Sequence, residues 1–551
     1  MVKKRRLSDS EEEDVKNGRH DDTVIEYECK PTKRKSMKGL LGNGSEAELN
    51  GEEKFEEVPK KTVKKEKKNR RIKTEHENGV RESTSGVAVD VFEAVIAAPS
   101  SLTDDHLVPL LDHLEDNKDD ESSRAKVRER ASSLPFLSAL LTTYTATRSS
   151  LDTRIYDVLH TLESVYKVNV GAMTPLVFGA DSKENYEKLR SLGRHLHVHL
   201  KPDEVVQRLN GDMLWKTVMC GNRPGETFRH ETYDTRFILR HLLSIVKPGS
   251  ELSSRLFVES NCLALAFASA SAADEETRRT GLLLLQAFLG HLNTLTTEDF
   301  PAKGLVLYLI RMFKNSIAEE APRLSHIITH FFARASKLLL QPAHPLFGPV
   351  LAFLTFKPSI DLNQVPEQFK LLMSTSTEHW AGEQQWIIDL MAQGMQEKFD
   401  YDLLQSRSSL RYVQLLFGSV LSRPETRRAA LALFKAVMRT PSASFDCLVR
   451  CSFGAWITAA IQNPDRSRWE VIYLGEVYKM MVRGAREWVQ TKKPKQAAST
   501  RILVDITYKT ILRMLEGNEA AGIRLQEEIE DEVSAWSQLL EGDTTSSASD
   551  E

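Results

Sequence analysis

The sequence predicts an all-α fold, an irregular array of armadillo- or HEAT-like helical repeats behind a disordered N-terminal tail. Three observations lead there. Past Val87, apolar residues recur at helical spacing; prolines punctuate these segments at intervals; and no sustained alternation of apolar and polar residues offers a sheet. Length agrees, because 551 residues with 41% hydrophobic content exceed one ordinary core and call for several cores or an extended array.

The elements divide into a tail at 1–85, a helical body at 86–540 and an acidic, serine-rich end at 541–551. In the tail, apolar residues stand singly among Lys, Glu, Asp, Asn, Gly and Ser, too few to offset the entropy of ordering a backbone. Two basic clusters stand out in it. One is Lys3, Lys4, Arg5 and Arg6; the other is Lys60, Lys61, Lys64, Lys65, Lys67, Lys68, Arg70, Arg71 and Lys73, interrupted by the single acid Glu66. Their spacing resembles a nuclear localisation signal, against the plainer reading of a solvated charge run beside acidic stretches such as Glu11 to Asp14. The same lysines could touch RNA phosphates, weakly and without regard to sequence. No apolar stretch follows the first cluster, so it does not read as a secretory signal.

In the body, Leu324, Ile327, Ile328, Phe331, Ala335, Leu338 and Leu339 fall on one helical face. Asp274, Glu275 and Glu276 open another helix with acids at its positive dipole end, followed by Leu282, Leu285, Leu289 and Leu292; Val306, Leu309, Ile310 and Phe313 form its partner. Pro248, Pro301, Pro322, Pro342, Pro358, Pro424, Pro441 and Pro464 separate such segments, since a missing N–H and a fixed φ start or end helices. The repeating unit therefore reads as helix, proline turn, helix. Units start near Tyr233, Asp274, Leu324, Trp380 and Pro424, steps of roughly 40 to 55 residues, close to the HEAT and armadillo period. Before them, Val87 to Lys201 reads as helical apart from a loop near Gly171 to Asp181. After them, Lys492-Lys493-Pro494-Lys495 separates helices around Trp469 to Trp488 and Arg501 to Leu515, and a last helix should end near Leu540.

Charge and motif content exclude several function classes. The tail holds 22 Lys+Arg against 19 Asp+Glu and the remainder 52 against 58, so the net −3 combines a positive tail with a negative body lacking the global field of a nucleic-acid coat. Five cysteines without CxxC spacing read as free thiols in a reducing compartment. The most apolar stretch, Leu256 to Ala273, is interrupted by Glu259, so no membrane partner is expected. His195, His197 and His199 could bring at most two imidazoles to one helix face, with no acid or thiol at useful spacing, and are read as part of an ordinary amphipathic helix. Cys447 and Cys451 share the i, i+4 geometry but do not complete a tetrahedral site and are read as small buried hydrophobes. Phosphate loops, GxSxG and HExxH are absent, and no cofactor or catalytic residue is expected. Trp380, Trp386, Phe399 and Tyr401 are read as core or groove lining rather than as base-stacking platforms.

Several segments in order resemble the C-terminal helical region of the nucleolar pre-ribosomal-associated protein 1 family. They are Asp152-Thr153-Arg154-Ile155-Tyr156, Pro175 to Gly179, Tyr233-Asp234-Thr235-Arg236-Phe237 with Thr235 where the family has Pro, Ser269 to Arg279, and Asp361 to Pro366. Most extensive is Gln385 to Leu390 running through Gly394-Met395 to Asp400-Tyr401-Asp402-Leu403-Leu404. The resemblance spans about Phe136 to Ile461 and implies armadillo-like repeats in a nucleolar protein of early large-subunit precursors. It further implies action with other assembly factors, a DEAD-box helicase among them, in ribosomal RNA folding and processing. Members of that family are usually far longer, with an extensive helical N-terminal half; here a basic tail stands instead.

The expected function is that of a non-enzymatic scaffold of large-subunit assembly in the nucleolus, partnered by pre-ribosomal particles and, directly or indirectly, by pre-rRNA. The competing readings are a HEAT-type nuclear transport adaptor working without RNA, and an enzyme, whose sign would be a close cluster of acid, base and nucleophile.

Overall fold

The structure, a computed structural model, describes residues 90–98, 101–172, 178–179, 181–185, 187, 201–220, 226–516 and 520–546. Both basic clusters, His195 to His199 and most of the expected loop near Gly171 to Asp181 lie outside the described residues. Among those described there is no strand, only one antiparallel bridge between Thr147 and Tyr233.

Five helices come first: α1 (Val91–Ala97), α2 (Asp104–Asp116), α3 (Glu121–Ala131), α4 (Leu134–Thr143) and α5 (Ser150–Ser164). Next are α6 (Pro202–Arg208), α7 (Gly211–Cys220), α8 (Thr235–Ile245), α9 (Ser254–Glu259), α10 (Cys262–Ala268), α11 (Glu275–Thr294) and α12 (Lys303–Ser316). The central stretch holds α13 (His326–Leu338), α14 (Phe347–Phe356), α15 (Gln368–Met373), α16 (Trp380–Gly394), α17 (Lys398–Ser406) and α18 (Ser409–Gly418). The chain then forms α19 (Pro424–Met438), α20 (Pro441–Val449), α21 (Phe453–Gln462), α22 (Arg468–Lys492), α23 (Ala497–Leu515) and α24 (Ala520–Ser546).

Helices α7, α10, α13, α16, α19 and α22 each pack on the next and form the spine of the array. The last three begin at 380, 424 and 468, a step of 44 residues that lies within the armadillo and HEAT range. All five expected unit starts fall at helix N-termini: α8, α11, α13, α16 and α19. The unit itself differs from the expected pair. Four of these five units hold three helices, because α9, α15 and similar helices of 6 to 10 residues are too short to print a period in the sequence.

Local chemistry accounts for the element ends. The Asp274 carboxylate accepts from Thr277 N at 2.8 Å and caps α11, with Glu275 and Glu276 in the first turn. The buried stripe of α11 is Leu284, Leu285, Phe288 and Leu292; Leu282 and Leu289 flank it half-buried, and Leu283 is exposed. Helix α13, in mid-spine, buries residues on every side, among them Ile327, Ile328, Phe331, Phe332 and Ala335. Helix α16 meets it through Gly394, where a Cβ would stand 2.7 Å from Ile327 Cα. At the C-terminal end α22 packs on α23 and α24, and the Trp536 indole, wholly buried, donates to Val482 O at 3.3 Å. Helix α24 runs to Ser546 rather than stopping near Leu540; Glu541 to Ser546 contains no proline to stop it.

Candidate interaction site

The segments that carried the family resemblance are explained first by helix ends and close packing. Asp152 is buried and accepts from Thr145 N at 3.1 Å, Thr145 Oγ1 at 2.5 Å and Thr147 N at 2.9 Å, fixing the turn into α5. Asp234 caps α8 by accepting from Arg236 N at 3.0 Å. Phe178 and Phe237, from two of the resembling segments, meet edge to face at 5.3 Å beside Tyr144. Arg278 donates to Ala272 O, Ala273 O and Ala321 O, joining the entry of α11 to the turn before α13. Asp400 is fully buried and joins α17 to α13: its carboxylate accepts from Ser325 Oγ at 2.7 Å, His326 N at 2.8 Å, His326 Nδ1 at 3.0 Å, Gln396 N at 3.1 Å and Glu397 N at 2.9 Å.

Ser325, His326 and Asp400 are the three residue types of a hydrolase triad, but their connection is that of a helix cap. The Ser325 hydroxyl donates to Asp400 rather than to the imidazole, and accepts from Ile327 N at 3.2 Å as the N-cap of α13. A nucleophile needs its base within hydrogen-bond reach and access to substrate. All three residues are 3% exposed or less.

Chemistry suited to a ligand collects where α5, α8 and α11 begin. An open cavity of about 450 Å³ is lined by Arg148, Arg229, Arg236, Thr153, Thr235, Asp234, Asp274 and Thr277. The bridge between Thr147 and Tyr233, with Arg148 N donating to Arg229 O at 3.1 Å and Asp234 N to Ala146 O at 2.7 Å, brings these stretches together. Three guanidinium groups thus face two carboxylates, and both carboxylates are engaged locally. Asp234 holds Arg236 at 2.6 Å as well as capping its helix. Asp274 is capped onto α11; burial pushes its carboxyl pKa up, but Thr277, the Glu276 N–H and the Arg278 charge outweigh burial and hold it below the usual carboxylate value. Burial pulls the Arg148 pKa below its ordinary value, and the charge of Asp234 opposes that. With three guanidinium groups against two carboxylates that are already engaged, the cavity suits an anionic oxygen group.

Other sequence-singled residues fall in place around the spine. Tyr401 is buried, Trp380 and Trp386 are half-buried, and Phe399 is 52% exposed, the exception to the expected lining. Arg423 lies over the Trp380 ring at 5.3 Å and Arg334 over Trp386 at 5.9 Å, so cations already occupy these aromatic faces. Cys447 is buried, as expected; Cys451 is only half-buried and its sulfur accepts from Gln405 Nε2 at 3.0 Å, which a small hydrophobe does not require. Among the described residues no helix is long and apolar enough to cross a membrane, and no group of three or more His, Cys, Asp or Glu side chains is placed to hold a metal. The arginine cavity was not legible in the sequence, because its residues lie up to 129 positions apart, from Arg148 to Thr277, with no spacing rule linking them.

Residues 263–456 match the family model described as nucleolar pre-ribosomal-associated protein 1. The protein of that name from Mus musculus is 23% identical over 343 residues, and the one from Homo sapiens 24% identical over 341. Each comparison covers 59% of this chain and 15% of the relative, so the chain spans a small part of the length of the curated proteins it matches. No solved structure matches. The stretch from α10 to α21 thus matches the nucleolar pre-ribosomal-associated protein 1 family, within the span from Phe136 to Ile461 over which the ordered motifs resemble it.

Proposed function

We propose that this chain is a nucleolar scaffold that helps assemble the large ribosomal subunit, holding protein and RNA partners in fixed relation along its helical array during pre-rRNA folding and processing. The observation that carries this reading is the match of the spine to the nucleolar pre-ribosomal-associated protein 1 family. A stacked array offers a long surface on a rigid support, which suits positioning rather than turnover. In this reading the basic clusters at Lys3 to Arg6 and Lys60 to Lys73 of the 1–85 tail direct the chain to the nucleus. Early large-subunit precursors and their assembly factors, a DEAD-box helicase among them, are the partners, and the cavity of Arg148, Arg229 and Arg236 is a candidate contact for RNA phosphate.

The test is to recover the tagged chain from nuclear extract after crosslinking and identify the RNA and protein bound. Large-subunit precursor RNA should dominate, and Arg229→Ser, which alters an exposed side chain, should lower the crosslinked yield. Recovery with a single protein cargo and no RNA would replace this reading with that of a transport adaptor.

A further inference from the structure

We propose that Cys451 and Cys447 form a peroxide-reactive thiol pair, with Cys451 as the attacking thiol and Cys447 as the thiol that resolves it into a disulfide. The pair lies where α20 ends against α17. Tyr401 and Gln405, one turn apart on α17, reach across to Asp446 on α20: the Tyr401 hydroxyl donates to Asp446 Oδ2 at 2.7 Å and Gln405 Nε2 approaches the same oxygen at 3.4 Å. Asp446 O accepts from both Arg450 N at 2.8 Å and Cys451 N at 3.2 Å, closing the chain back at the helix end and setting Cys451 beside Cys447. There the Cys451 sulfur accepts a hydrogen bond from Gln405 Nε2 at 3.0 Å, and the nearby Cys447 thiol is the strongest single influence on its protonation.

The two sulfurs are therefore unequal. Cys447 is fully buried, also approached by the Tyr401 hydroxyl at 3.8 Å, and its pKa is raised by donating to Cys451 and by burial. Cys451 is half-exposed, and the hydrogen bond from Cys447 brings its pKa down to about 6, against the opposing effect of burial and with help from Gln405. A thiolate within reach of solvent, next to a second thiol, is the environment in which protein cysteines oxidise selectively. A merely structural cysteine needs neither the amide donor nor the access.

The chemistry balances with hydrogen peroxide as the oxidant. The Cys451 thiolate attacks one peroxide oxygen, forming an S–O bond and breaking the O–O bond; the hydroxide released takes a proton and leaves as water. Cys447 then loses its proton, its sulfur attacks the Cys451 sulfur, the S–S bond forms, and the S–O bond breaks to release hydroxide that is protonated to a second water. Two thiols become one disulfide and one peroxide becomes two waters. Disulfides need Cβ atoms about 3.5–4.5 Å apart, and residues four apart on a helix stand about 5–6 Å apart, so a small closing movement is required. It falls on Cys451, which lies beyond Val449, the last residue of α20.

The test uses the full reduced chain, treated with stoichiometric hydrogen peroxide, alkylated and cleaved with trypsin. Cleavage after Arg450 separates the two cysteines into peptides 440–450 and 451–466, so the disulfide appears as a linked peptide pair. The pair should form in the native chain and not in Cys451→Ser or in the chain held in urea. Cys447→Ser should leave Cys451 as a sulfenic acid that dimedone traps, while Cys220 and Cys262 stay reduced. Equal yield of the linked pair in urea, or native chains in which Cys447 and Cys451 stay reduced while Cys29 oxidises, would overturn the proposal.

Discussion

Replacing Asp400 by asparagine changes no more than a few atoms, yet the geometry around it makes that change costly. One carboxylate oxygen accepts from Ser325 Oγ and His326 N, the other from His326 Nδ1, Gln396 N and Glu397 N. An amide nitrogen in place of either oxygen points its hydrogens at donors, whichever way it is turned. Buried groups left without partners cost about 1–3 kcal/mol each, and breaking a buried charge arrangement costs about 3–5 kcal/mol, so a loss of about 3–5 kcal/mol is expected at the seam of α13 and α17. Hydrogen exchange reads this seam directly. At 1.4 kcal/mol per tenfold, the amides of His326, Gln396 and Glu397 should exchange roughly a hundred- to a few thousand-fold faster than in the unaltered chain. The seam should also be acid-sensitive. Burial pushes the Asp400 pKa up, but His326, Ser325 and the Glu397 N–H outweigh it and hold it below the ordinary carboxylate value. The stabilisation is thus complete above about pH 4 and is withdrawn as pH falls further, a step the asparagine variant lacks. Unchanged exchange at these three amides would refute the cross-helix cap.

Gly394→Ala should destabilise the α13–α16 contact by about 1–3 kcal/mol, because the new methyl meets Ile327 backbone atoms rather than a movable side-chain tip; a lowered urea midpoint checks this. Trp536→Ala should cost about 3–5 kcal/mol at the C-terminal end, and Trp386→Ala clearly less, since Trp386 is half-buried; reversed order in urea unfolding would contradict the packing described. His241 and His330 are buried, and burial lowers their pKa values to about 4 and about 3. Both must charge on unfolding, so stability should begin to fall below about pH 6.5, by up to about 2 kcal/mol each at pH 5, read as urea midpoints at pH 7 and pH 5. Converting Lys3 to Arg6 and the basic residues of Lys60 to Lys73 to Ser should abolish nuclear accumulation of the fluorescently tagged chain; unchanged localisation would dismiss the targeting role.

Much of the array was legible because long amphipathic helices state their own period. The acids at Asp274 to Glu276 and the stripe from Leu324 each marked a helix that the structure contains, and the five unit starts fall at helix N-termini. What the sequence hid depends on distance along the chain or on brevity. Helix α15 is 6 residues long and prints no period, so the three-helix units read as pairs. Neighbouring Phe399 and Asp400 look like an apolar and a polar residue of one helix, but the phenyl ring faces solvent and the carboxylate is buried, because its partners come from α13, about 75 residues away. Apolarity alone places Trp386 in core or groove lining without distinguishing the two; the structure sets the ring half-buried, edge-on to Phe331 beneath Arg334. The arginine cavity and the Gln405 contact to Cys451 share this cause: each is assembled from segments that no local rule connects.

Association rather than turnover is the central claim, and sedimentation of nuclear extract on a sucrose gradient tests it most directly. The chain should travel with large-subunit precursor particles at low salt and shift to light fractions after ribonuclease treatment. Moderate salt should release the chain lacking residues 1–85 more readily than the intact one, since phosphate contacts weaken as ionic strength rises. Sedimentation as a free protein at low salt, unaffected by ribonuclease, would contradict the account.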